Sequence, residues 1–198
     1  FFRNANTFQQ LAKLVLPDLL ADKKKRGQRN ISFWSAACAF GEEPYSIAIM
    51  LIESLGKDLQ EFDISIDATD ISQQVINRAQ SARYKNTEGL SGNLLNRYFK
   101  FDGGCYVAED RVRRMVEFSC FNLLSNSSPL LKNADCIFCC NILIYMQKQL
   151  QERVLDLLCH SLAIPGYLIL GEAETLTENL CSKLECLDTK AKIYKRRE

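Results

Sequence analysis

The sequence predicts an α/β fold in which a mainly parallel central sheet is covered by helices on both faces. Two observations carry this expectation. Short apolar runs of strand character alternate along the chain with segments of helical period, the pattern of successive βαβ units. The chain has 198 residues and is 47% hydrophobic, enough for a single domain with a sizeable core. It shows no internal repeat and no low-complexity segment.

Each element follows from local pattern. Phe8 to Leu20 has apolar residues at 8, 11, 14, 15 and 19, a helical spacing. Lys23-Lys24-Lys25-Arg26-Gly27 breaks it and reads as a solvated turn. Ile31 to Ala36 fits a buried strand, and Pro44 suits the first turn of the helix that follows Gly41. Ile47, Ala48, Met50, Leu51, Ile52 and Leu55 give that helix an apolar side, and Gly56 ends it. Phe62 to Thr69 alternates as a second strand, and Asp70-Ile71-Ser72 caps a helix bearing Val75, Ile76 and Ala79 on one face. Tyr84 to Arg114 is less periodic, with Cys105 to Val107 as a short strand. Met115 to Phe121 and Cys136 to Cys140 read as strands, and Gln147 to Leu162 as an amphipathic helix closed by Pro165-Gly166. Tyr167 to Leu170 and Lys192 to Tyr194 supply the last strands.

Composition excludes several functions. Lys plus Arg number 25 and Asp plus Glu 24, a net charge of +1 that argues against a nucleic-acid binder. Nine cysteines stand beside a single histidine, His160, which rules out multi-histidine metal sites. Cysteine in apolar surroundings reads as free thiol in a reducing cytoplasm. Cys136-x-x-Cys139 lies in a strand, where its side chains point to different faces, so zinc is not expected. No apolar run reaches the length of a membrane span and no signal peptide is visible, so no membrane insertion is expected. The chain begins with Phe1 and is expected to be a piece of a longer protein.

Polar residues gather at three strand ends, where ligands of parallel sheets bind. The first cluster is WSAACAFGEEPYS (34–46), with small residues that allow close backbone approach and two carboxylates opening a helix. Glu42 and Glu43 repel phosphate and suit a cationic ligand, although glutamate in a first turn also complements the helix dipole. The second is Asp70, fit either to bind ribose hydroxyls or to cap a helix. The third is Asn122-Leu123-Leu124, which alone reads equally as a turn.

Together with Phe1-Phe2-Arg3, ATDIS (68–72), RYF (97–99), VEFSCFNLL (116–124) and DCIFCCNILIYM (135–146), these motifs resemble, in order, the CheR-type chemotaxis receptor glutamate methyltransferases. The resemblance covers nearly the whole chain and implies a Rossmann-like class I methyltransferase fold. It implies methyl transfer from S-adenosylmethionine to glutamate carboxylates in the cytoplasmic region of chemotaxis receptors, leaving S-adenosylhomocysteine. By the same resemblance Glu43 holds the methionine amino end and Asp70 the ribose. Asn122 and Leu123 lie beside the adenine, and Ala37, Ile71 and Asn141 complete the cofactor-binding set. Arg3 and Tyr145 border the transferred methyl, with Arg3 also against the cofactor. The chemistry suits a chain with one histidine, because an ionised glutamate attacks a sulfonium methyl without a base.

The family pattern also implies departures. Cys140 stands where the family has arginine, Ala37 where glycine is common, and Ala39-Phe40 where a small polar pair is usual. Residues 1–198 are expected to form one catalytic domain with a reduced β-subdomain at about 97–115, without the family's N-terminal helical domain. A cytoplasmic monomer is expected. The alternative is a paralogue weakened in catalysis that acts as a cofactor-binding regulatory module.

Overall fold

The computed structural model describes residues 1–125, 131–176, 180 and 182–196. A helical arm opens the chain, running from α1 (Ala5–Gln10) through a wide π turn (Leu11–Val15) into α2 (Leu16–Lys25). Phe8, Leu11, Val15, Leu16 and Leu19 are buried, whereas the wide turn leaves Leu14 outside the stripe at 43% exposure. The lysine run does not break the helix; it forms the last turn of α2, where cations complement free carbonyls. Nor is all of it solvated. Lys23 Nζ lies 2.8 Å from the Asp135 carboxylate with both side chains almost enclosed.

β1 (Asn30–Ala36) leads into α3 (Glu42–Leu55), β2 (Asp63–Asp70) and α4 (Gln73–Ser81). Then come β3 (Arg83–Tyr84), α5 (Gly92–Tyr98), β4 (Phe99–Asp102), β5 (Cys105–Ala108), α6 (Asp110–Arg113) and β6 (Val116–Cys120). β7 (Ala134–Cys139), α7 (Lys148–Ser161), β8 (Leu162–Leu170), β9 (Leu184–Asp188) and β10 (Ile193–Arg196) complete the order. Seven strands form one sheet in the order β6-β2-β1-β7-β8-β10-β9. The pairs β6–β2, β2–β1, β1–β7 and β7–β8 are parallel, and β10 runs antiparallel between β8 and β9. The α/β fold expected from the sequence is therefore present.

Strand residues alternate between two cores. Phe33, Ile66, Cys136, Phe138 and Ile169 pack under the arm and α3, while Trp34, Ile137, Cys139 and Leu168 pack with Val154, Leu155 and Leu158 of α7. Both faces are covered, which is why β7 is apolar at nearly every position. Cys136 and Cys139 consequently lie on opposite faces of the sheet. Cys181 lies outside the described residues.

The C-terminal third departs from expectation in two places. Pro165-Gly166 does not close α7; the helix ends at Ser161 and β8 starts at Leu162. Pairing with β7 jumps from Ala134↔Leu162 to Cys136↔Tyr167, so the proline, which has no N–H to donate, sits in the irregular stretch between. β9 was not expected, because a half-polar edge strand carries no apolar run.

β3, β5 and β4 form a separate antiparallel sheet. Two of its strands fall within 97–115 and the third, β3, precedes it. Phe101 and Tyr106 stack edge to face across it with ring centroids 5.1 Å apart.

Candidate active site

The order of the main sheet reverses between β1 and β7, so their carboxyl ends open a crevice between diverging connections. The loop leaving β1 turns sharply there. Ala37, Ala39 and Gly41 all adopt left-handed backbone, with φ of 63°, 47° and 91°. Glycine is required at 41, where a Cβ would come 3.0 Å from the Tyr84 hydroxyl and 3.1 Å from Ala79 Cβ. The two alanines accept strained backbone, and their small side chains leave the loop approachable. The Cys38 amide donates to Thr69 O at 2.8 Å and the Ala39 amide to Asp70 Oδ2 at 3.1 Å, fastening the loop to the end of β2.

That turn sets Glu43 in the first turn of α3 with its carboxyl in the crevice. Ser35 of β1 donates to Glu43 Oε1 at 2.6 Å. Burial lifts the Glu43 carboxyl to about 7, while hydrogen bonds from Ser35 and the Cys140 thiol oppose the rise and the charge of Glu174 adds to it. Burial also pushes the Cys140 thiol well above the usual range, reinforced by the Glu43 charge. Cys140 is thus a neutral donor beside a carboxylate.

A cavity of about 610 Å³ opens over these strand ends, and Arg3, Ala37, Glu43 and Asn141 all line it. Arg3 is carried there by an anchored arm. The Phe1 ring meets Tyr84 at 4.8 Å and Phe99 at 5.2 Å, and the Phe2 amide donates to Ser46 Oγ at 3.0 Å. Gly89 passes so close beneath that a Cβ there would fall 1.7 Å from the Phe1 carbonyl oxygen.

The other expected residues lie outside the cavity wall, Asp70, Ile71, Asn122 and Leu123 at or just past the ends of β2 and β6 and Tyr145 on a turn beyond β7. Asp70 Oδ1 accepts from the Ser72 amide at 3.0 Å and Oδ2 from Ala39, so both carboxylate oxygens are held by backbone. Ser72, rather than Asp70, caps α4 by accepting from Val75 N at 3.4 Å. Ile71 is 65% exposed beside it. Asn122 accepts from the Leu124 amide at 2.9 Å, an Asx turn that also sets Leu123. The Phe121 amide donates to Asp70 O at 2.9 Å, joining this turn to the end of β2. Tyr145 stands 81% exposed at the end of a single 3₁₀ turn, Leu143–Tyr145.

Sequence reasoning missed three contributors. Ser35 is concealed in an apolar strand, and Gly89 in a segment of weak period. Glu174, only 3% exposed, lies just past β8, where the pair of glutamates at 172 and 174 was the available signal.

The donor set suits an elongated cation. A buried carboxylate with no lysine or arginine hydrogen-bonded to it, among the described residues, is suited to an ammonium group. The oxygens of Asp70, pinned by amides, keep lone pairs for a diol, and the exposed face of Ile71 offers apolar surface to a flat ring.

Comparison with known proteins agrees in sequence. A family model described as CheR methyltransferase, SAM binding domain, matches residues 1–193. A chemotaxis protein methyltransferase of Vibrio parahaemolyticus is 37% identical over 190 residues, covering 93% of this chain and 66% of the relative. One from Pseudomonas aeruginosa is 35% identical, covering 89% and 65%, and one from Salmonella typhimurium 36%, covering 89% and 60%. The chain thus spans just under two thirds of these relatives. Among solved structures, magnesium protoporphyrin IX methyltransferase from Synechocystis with bound SAM is 20% identical, with a TM-score of 0.40, covering 96% of this chain and 77% of that one.

Proposed function

Because this chain belongs to the CheR methyltransferase family, matched over its S-adenosylmethionine-binding domain, we propose that it methylates glutamate side chains in the cytoplasmic region of chemotaxis receptors, forming glutamyl methyl esters. The observation that carries the reading is the placement of Glu43 and Arg3 on one cavity, a carboxylate for the cationic end of a cofactor and a guanidinium for an incoming carboxylate.

When bound, S-adenosylmethionine supplies an electrophilic methyl group. Glu43 receives its ammonium and Asp70 its ribose hydroxyls, with Ile71, Asn122 and Leu123 around the adenine and Ala37 and Asn141 against the remaining length. Arg3 orients the substrate carboxylate by charged hydrogen bonds, and Tyr145 positions it with its hydroxyl or shapes the wall around the methyl. The substrate arrives ionised, so orientation and electrostatics replace a general base. His160 accordingly has no part; it lies exposed at the C-terminal end of α7.

Residues 1–198 serve in this reading as one catalytic domain with the small sheet appended. It works in the cytoplasm as a monomer, binds no nucleic acid and inserts into no membrane. Among the described residues no helix is long and apolar enough to cross a membrane. The test is methyl transfer by the full-length protein from labelled S-adenosylmethionine to receptor cytoplasmic fragments. Base-labile label is expected; cofactor binding with no label transferred overturns the reading.

That second outcome supports the regulatory binding module, which the neutral Cys140 beside Glu43 favours. A Cys140→Arg variant separates the two. A large gain in transfer marks a degraded catalytic site, whereas a loss marks a site already built around the thiol.

A further inference from the structure

β7 ends at Cys139 and the chain leaves the sheet, with Asn141 in left-handed backbone at φ 61°. Amides that leave a ladder inside a protein need other acceptors. Here one side chain supplies them for residues 141–143. Glu174 Oε2 accepts from the amides of Gly171 at 2.7 Å and Asn141 at 3.0 Å, and Oε1 from those of Ile142 at 2.9 Å and Leu143 at 2.7 Å. The carboxylate is buried, and four amides fill the acceptor sites it has. It has no acceptor site left for a ligand.

The approach is close from the other side as well. A Cβ at Gly171 would sit 2.8 Å from Glu174 Oε2 and 2.9 Å from the Asn141 nitrogen. The Glu174 amide itself donates to Gly171 O at 2.9 Å, so residues 171–174 form a tight turn that clamps the exit of β7 from the exit of β8. Downstream of the clamped amides stands Tyr145, and at their head Asn141, which lines the cavity with Arg3 and Glu43.

We propose that Glu174 is a positioning residue for methyl transfer: it fixes the backbone of 141–143 and thereby the setting of Asn141 and Tyr145 against the reacting groups. This rests on the methyltransferase reading above.

Glu174→Gln keeps the size of the side chain but turns one acceptor oxygen into a donor, losing two of the four bonds. In the full-length protein, kcat is expected to fall about 100-fold, as for a displacement on the order of 1 Å at a reacting centre. The Kd for S-adenosylmethionine is expected to stay within about tenfold. Hydrogen exchange is expected to quicken at amides 141–143 and not at 35–38. Gly171→Ala, which presses on the same clamp, is expected to give the same split if the glutamine variant fails to fold. Unchanged kcat, or unchanged exchange at 141–143, overturns the proposal. A wild-type protein without any transfer overturns the methyltransferase reading instead, and the exchange measurement still decides whether Glu174 holds the loop.

Discussion

The Ser35 hydroxyl donates to Glu43 Oε1 at 2.6 Å, joining the end of β1 to the first turn of α3 through a carboxyl that burial lifts to about 7. A carboxyl raised in the fold above its unfolded value of about 4 favours folding below that unfolded value. The advantage is lost as pH rises through 7, a swing of about 3 kcal/mol for a shift of this size. Without ligand, the wild type is therefore expected to lose stability between pH 4.5 and 7.5, and Glu43→Gln to flatten that slope. Denaturant melts across the range check it.

In the proposed site the same carboxyl receives the cationic end of the cofactor. Binding an ammonium requires Glu43 ionised, so S-adenosylmethionine is expected to bind about tenfold more tightly at pH 7.5 than at pH 6, with proton release. Calorimetry in two buffers of different ionisation enthalpy measures both. Equal Kd values at the two pH values would remove Glu43 from the cofactor site.

Asp70 is held by the amides of Ala39 and Ser72. Asp70→Ala is expected to weaken cofactor affinity by about 1–3 kcal/mol, the cost of losing a charged hydrogen-bond partner. Unchanged affinity with a lowered melting temperature would reduce Asp70 to a tie between the loop and α4.

Arg3 lies on the cavity at the end of an anchored arm. Arg3→Ala is expected to cut kcat/KM for receptor at least tenfold while changing cofactor Kd less than about threefold, as the proposed action of its guanidinium on the incoming carboxylate requires. An equal loss in both would assign Arg3 to the cofactor alone.

Lys23 and Asp135 form an enclosed ion pair at 2.8 Å, and Asp135 also accepts from the Ser32 amide at 2.9 Å. Lys23→Ala leaves a carboxylate nearly buried with one amide partner. A loss of about 3 kcal/mol in unfolding free energy is expected, with cofactor affinity unaltered. A change below 1 kcal/mol would show that water replaces the lysine without penalty.

What was legible in the sequence follows from period and punctuation. β1 and β7 announce themselves because strands buried on both faces must be apolar, β2 and β6 because their apolar residues alternate with polar ones, and α3 because Pro44 and Gly56 bracket it. Residues whose meaning is local, such as Ser72 at the head of α4, were readable within one segment. The contacts that shape the cavity were not. Glu174 meets Asn141 across more than thirty residues, and Lys23 meets Asp135 across more than a hundred, so nothing local distinguishes either from a surface charge. The left-handed alanines at 37 and 39 were equally opaque, since alanine signals helix rather than a strained turn.

The Phe1 carbonyl resting on Gly89 has a mechanical meaning. The ring ahead of it is wedged between Tyr84 and Phe99, so swinging Arg3 away from the cavity would mean extracting an aromatic side chain from the small sheet and sliding backbone over backbone. The entry arm is a fixed lintel rather than a door. In the proposed reading the protein substrate therefore meets a site whose movable part lies elsewhere, and Ile144 and Tyr145 stand open to solvent at 45% and 81% exposure.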